Sequence, residues 1–91
     1  MKTLAEKFGY RQYMSFCTLV DVHREGTAFA AELLRDGLPD TLTIMARMRY
    51  HYVSHFEGRR FCDYDETEEF SFEEAYAEFC QGAIHLLGAR Q

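Results

Sequence analysis

Hydrophobic and polar residues alternate along much of this chain, and the clearest helical period lies near the C-terminus. In "RQYMSFCTLVDVH" (11–23), Met14, Phe16, Thr18, Val20 and Val22 share one side, with Ser15, Asp21 and His23 on the other. The β-branched and aromatic content predicts a strand. "TAFAAELLRDG" (27–37) is made of good helix formers. Thr27 is placed to cap its start, and Gly37 with Pro39 to stop it, which predicts a short helix. A strand paired back across "REG" is the competing reading. "TLTIMARMRYHYVSHF" (41–56) sets Leu42, Ile44, Ala46, Met48, Tyr50 and Tyr52 against Thr43, Met45, Arg47, Arg49, His51, Val53 and His55. Period two with one wet face predicts a half-buried antiparallel strand. A helix starting after Asp40 is the alternative, disfavoured by Thr, Ile, Tyr and Val.

A turn at Glu57-Gly58 then leads into a return strand, "RRFCDYD". "SFEEAYAEFCQG" carries the capping-box spacing at Ser71 and Glu74, and Phe72, Ala75, Tyr76 and Phe79 line one side at helical spacing. Gly82 either ends this helix, leaving "AIHLLG" as a last strand, or the helix runs on to Gly88. The order β-α-β-β-α-(β) predicts an α+β two-layer sandwich. An antiparallel sheet would carry two helices on one face in the ferredoxin-like order. An antiparallel β-meander covered by one C-terminal helix is the alternative.

Composition sets the scale. Ninety-one residues make room for a single domain, 1–91, and 47% hydrophobic with 15% aromatic residues is enough to build a core. No apolar run approaches the roughly 18 residues of a membrane helix. The N-terminal "MKTLAEKFGY" has no apolar signal region, so a cytoplasmic location is expected. Cys17, Cys62 and Cys80 are odd in number and far apart, which fits reduced, buried thiols rather than a disulfide scaffold. A domain this small commonly gains stability from a second subunit, making a homodimer an open expectation.

Charge adds the most. Residues 1–62 carry nine Lys/Arg against seven Asp/Glu, and residues 63–91 carry one Arg against eight acids. The acidic balance disfavours direct nucleic-acid binding, which depends on neutralising phosphates. A basic row, Arg47, Arg49 and His51 continued by Arg59 and Arg60, is read as the wet face of the sheet. Its charges are expected to offset acids on the adjacent strand. There is no nucleophile elbow, phosphate-cradling loop or dinucleotide fingerprint, so neither an enzyme nor a cofactor is expected.

The expected function is a non-catalytic interaction or inhibitor module. Its acidic 63–78 face would dock on a basic surface of a nucleic-acid-handling protein, competing with nucleic acid as phage-encoded anti-restriction and anti-CRISPR inhibitors do. Asp65, Glu66, Glu68, Glu69 and Glu73 supply the charge. Tyr64 and Phe70, with Tyr76, supply aromatic anchors.

A divalent-ion protein is the alternative. Asp63, Asp65, Thr67 and Glu74 fall at the first, third, fifth and twelfth places of an EF-hand loop, with Glu69 as a further carboxylate. Glu68 stands where the sharp turn needs Gly. A weaker echo places Asp21, Gly26 and Glu32 at the first, sixth and twelfth places of 21–32. For zinc, His51 and His55 are four apart, and Cys62, Cys80, His23 and His85 would have to join them in space.

Overall fold

The computed structural model describes residues 2–88. These residues form five helices and three short strands, in the order α1 (Leu4–Phe8), α2 (Tyr10–Tyr13), β1 (Phe16–Thr18), α3 (Leu19–Asp36), α4 (Thr41–Phe56), β2 (Arg60–Cys62), β3 (Glu69–Phe70) and α5 (Phe72–Gly88). The class is α+β and the chain is mostly helical, but the ferredoxin-like order is not found. The sheet is mixed rather than antiparallel. β1 lies parallel to β2, with Phe16 opposite Arg60 and Thr18 opposite Cys62, and β3 is antiparallel to β2. The meander alternative fails too, because the β1–β2 connection is a two-helix crossover.

Of two stretches expected to be strands, 11–23 is extended only at Phe16–Thr18 and starts within α2, and 41–56 is helical. The first fails at Thr18, whose hydroxyl accepts from the Asp21 N–H (3.2 Å) and starts α3 where the extended reading continued to His23. Thr27, expected to cap a helix, lies in mid-helix, and its hydroxyl donates at 3.2 Å to the carbonyls of His23 and of Gly82. The second fails at Asp40. Its side chain accepts from the Thr43 N–H at 2.8 Å and opens α4.

The alternating set in α4 in fact contains two groups. Met48, Tyr52 and Phe56 are buried, with Ile44 packed on the core beside them, and Leu42 and Tyr50 are largely exposed. A four-residue step is a helical row as well as an even-numbered one, so a period of two hid a period of 3.6. Arg47, Arg49 and His51 therefore lie on α4, not on a sheet face. The return strand is only Arg60–Cys62, and the Glu57-Gly58 turn joins α4 to β2 instead of two strands.

The core gathers Val22, Phe29, Ala30 and Leu33 from α3, Met48, Tyr52 and Phe56 from α4, Phe61 from β2, and Ala75, Phe79 and Ala83 from α5. Tyr52 is fully buried, and its hydroxyl donates to the Phe72 carbonyl at 2.7 Å, satisfying its polar end. α3 and α5 approach closely because glycines stand at their crossing. A Cβ on Gly26 would lie 2.1 Å from the Phe79 carbonyl oxygen, and one on Gly82 would lie 2.2 Å from that of His23. Gly82 is therefore a packing residue inside one continuous helix, not its stop, and 83–88 forms no strand. The expected cap is present: the Ser71 N–H donates to Glu74 Oε1 (2.8 Å) and the Glu74 N–H to Ser71 Oγ (3.1 Å).

Candidate functional site

The acidic segment turns back from β2 into β3 through a loop organised by one side chain. Asp63 Oδ1 accepts from the Thr67 and Glu68 N–H groups at 2.8 and 3.2 Å, and Oδ2 accepts from the Thr67 hydroxyl at 3.0 Å. The Asp63 N–H donates to the Glu68 carbonyl and its own carbonyl accepts from the Glu66 N–H, both at 3.1 Å. Glu66 takes φ of +61°, a left-handed turn that this bonding holds in place. The Leu4 N–H of α1 donates to the Glu66 carbonyl at 2.7 Å, tying the N-terminus to the loop. Hydrogen bonding to Glu66, ahead of burial, pushes the Tyr13 phenol up to about 12.

The EF-hand expectation meets a different use of the same side chains. Asp63 closes the loop, Glu74 closes the cap of α5, and Glu69 forms a two-pronged pair with Arg60 (2.8 and 2.8 Å). Thr67 bonds Asp63, and Asp65 is exposed. In the 21–32 echo, all three positions lie within α3 and Gly26 is buried against α5. Arg49 similarly forks onto Glu73 at 2.6 and 3.1 Å, stacked over Tyr76 at 4.6 Å. So Arg60 does offset an acid of the adjacent strand, while Arg49, on α4, offsets an acid in the first turn of α5.

Of the other predicted residues, Arg59 donates from Nε to the Ser15 carbonyl (3.3 Å) and Arg47 is exposed on α4. Phe70 is half-buried and packs on the core, so it is a weaker anchor than its sequence position suggests. Tyr64 is 77% exposed. Among the described residues, the carboxylates of Asp65 and Glu68 have no hydrogen-bonding or ion-pair partner. Tyr64 and Asp63 line an open groove of about 470 Å³ together with Leu19, Val20, His23, Arg24 and Glu78. Two of its lining residues, His23 and Glu78, pair at 2.9 Å.

The carboxyls of Asp40, Asp63 and Glu74 sit below their ordinary range because backbone or hydroxyl donors from Thr43, Thr67 and Ser71 hold the charged form. Arg49 does the same for Glu73. A lowered folded-state pKa contributes stability that is complete above the unfolded carboxyl value and is lost as pH falls through the folded one. The melting temperature is therefore expected to hold steady from neutral pH to about 5 and to fall below about 4. Asp63→Asn should flatten part of that fall in an acid titration followed by circular dichroism. An unchanged profile would remove Asp63 from it.

Cys17 and Cys62 are buried and Cys80 is half-buried; all three are free thiols. Burial, followed by the nearby Glu66 and Asp63 charges, pushes Cys62 up to about 11, and burial raises Cys17. Both stay protonated at neutral pH, as expected of thiols serving as core residues. The histidine pair behaves differently. His51 and His55 lie on one side of α4 and meet Glu25 of α3, a residue the sequence did not single out. Its signal is the i,i+4 histidine spacing, which acquires meaning only once 41–56 is helical. His23, His85, Cys62 and Cys80 are not in that cluster.

No helix among the described residues is long and apolar enough to cross a membrane. Compared with protein-family models, curated proteins and solved structures, the chain matches none of them.

Proposed function

We propose that the protein is a small interaction module without catalytic activity. Its acidic loop engages a basic segment of a protein partner and competes there with nucleic acid. The observation that carries this reading is the triplet Tyr64, Asp65 and Glu68. The Asp63 bonds fix their loop, all three residues are exposed, and Tyr64 lines the groove together with Leu19 and Val20. A fixed loop loses little entropy on binding, an aromatic anchor supplies contact area, and unpaired carboxylates attract a cation. Glu69 and Glu73 contribute less, since Arg60 and Arg49 already neutralise them. Glu66 mainly shapes the loop.

The test uses a fluorescent peptide of alternating Arg and Leu, with a Glu/Leu peptide as control. The wild-type protein is expected to bind the basic peptide in a salt-sensitive way, displaceable by duplex DNA added as a competitor for the peptide. Asp65→Lys with Glu68→Lys should weaken binding about tenfold, or 1.4 kcal/mol. The same substitutions should leave the melting temperature within about 4 °C, as they sit on the surface. Equal binding of both peptides, or undiminished binding by the variant, would remove the acidic loop from the account.

A further inference from the structure

We propose that Glu25, His51 and His55 form a site for a divalent transition-metal ion of the zinc class. Glu25 Oε1 lies 3.0 Å from His51 Nε2 and 3.3 Å from His55 Nε2, and the three atoms all lie within 4.8 Å of one another. In a tetrahedral site with bonds of about 2.0–2.1 Å, ligand atoms stand about 3.3–3.4 Å apart. The carboxylate-to-imidazole separations are already close to that edge length. Among the described residues, this is the one group in which three such donors converge.

The site is held from several directions. The two imidazoles stack nearly parallel, 7° apart with centroids 5.0 Å apart, as an i,i+4 pair on one helix. Phe29 and Phe79 brace His51 at 5.2 and 5.8 Å between centroids. Glu25 comes from the other helix, so an ion would join α3 to α4. The His51 and Glu25 side chains are about one-quarter exposed and His55 about half, leaving a route inward and room for a water as fourth ligand. Two imidazoles and one carboxylate suit zinc, cobalt, nickel or copper and not the hard, oxygen-seeking calcium or magnesium.

Without an ion, each neutral imidazole can donate its Nε2–H to the shared carboxylate oxygen, giving a hydrogen-bonded triad between the helices. Binding needs the Nε2 lone pairs instead. A neutral ring provides one by moving its proton to Nδ1, with no net proton release.

The experiment titrates the full chain with Co2+, whose visible d–d absorption reports the ligand field, and then displaces it with Zn2+. One ion per chain is expected, with a rise in melting temperature under Zn2+ and none under Ca2+. Loss of even an outer partner of a metal ligand costs about 10–100-fold in affinity, so His55→Ala and Glu25→Gln should each cost at least that. Glu25→Gln keeps an acceptor oxygen for the imidazoles, and circular dichroism confirms that each variant is folded. A purely structural triad would leave the wild type without a Co2+ spectrum. No Co2+ spectrum and no Zn2+ shift at millimolar ion overturns the proposal, as do variants that bind like wild type or a preference for calcium. Asp65→Asn with Glu68→Gln should leave the Co2+ spectrum intact; its loss would move the ion to the acidic loop and overturn the assignment. The site shares no residue with that loop, so the peptide and metal experiments fail independently.

Discussion

Gly82→Ala is expected to lower the melting temperature by roughly 12–24 °C, a loss of about 3 kcal/mol at 4–8 °C per kcal/mol. Alanine alone would favour a helix interior by about 1 kcal/mol, so the sign of the effect comes from packing. The new methyl would meet the His23 carbonyl oxygen at 2.2 Å. That atom is backbone and cannot swing aside, so α3 and α5 must separate. Separation also breaks the Thr27 bond to the Gly82 carbonyl and opens the core at Val22, Ala30 and Ala83. Gly26→Ala meets the reciprocal obstacle at the Phe79 carbonyl and should behave alike. Gly88→Ala, with open space around its Cβ, is the control and should lose nothing. Thermal unfolding of the three variants settles the matter: a Gly82→Ala protein as stable as the control would mean that the helices do not cross here.

Phe79→Ala should cost about 3–5 kcal/mol of a total of about 5–15 kcal/mol. Phe79 is fully buried, and its ring reaches Phe29 of α3 (6.0 Å), Tyr52 (5.4 Å) and Phe56 (6.4 Å) of α4, and Tyr76 of its own helix (6.3 Å). The cost rises with the volume that the surrounding rings leave unfilled. Phe79→Leu keeps most of the volume and should cost less than about 1.5 kcal/mol. Urea unfolding measures both, and a Phe79→Ala cost below 1 kcal/mol would contradict the packing described.

The C-terminal helix was legible from the sequence because its signals are local. Ser71 and Glu74 bond each other across three residues, and Ala75 and Phe79 repeat at helical spacing. The α4 helix was not, because Ile44, Met48, Tyr52 and Phe56 satisfy two periods at once and only the Asp40 cap separates them. Gly26 and Gly82 read as punctuation because a glycine that breaks a chain and one that admits a neighbouring backbone are the same letter; the difference is tertiary. The acidic cluster was legible as charge, but its allocation was not. Which carboxylates are spent on Arg49, Arg60, Ser71 and the Asp63 loop depends on partners brought in by the fold. Tyr64, Asp65 and Glu68 emerge by subtraction. The Glu25 side of the histidine cluster lay beyond sequence reasoning, since nothing in residues 21–32 marks it until α3 and α4 pack.

The β1–β2 pairing has a kinetic consequence. Phe16 faces Arg60, 44 positions further along the chain, and each of these two strands is only three residues long. Closing that interval costs chain entropy that three paired residues return poorly, whereas α3, α4 and α5 form from contacts within a few turns. The crossover helices must therefore be largely in place before the sheet can register. The β2–β3 hairpin pairs residues only seven to nine positions apart and belongs with the early local contacts; it is the β1 pairing that comes late. Synthesis runs the same way for this pair of strands: β1 is made before α3 and α4, and its partner β2 only after them.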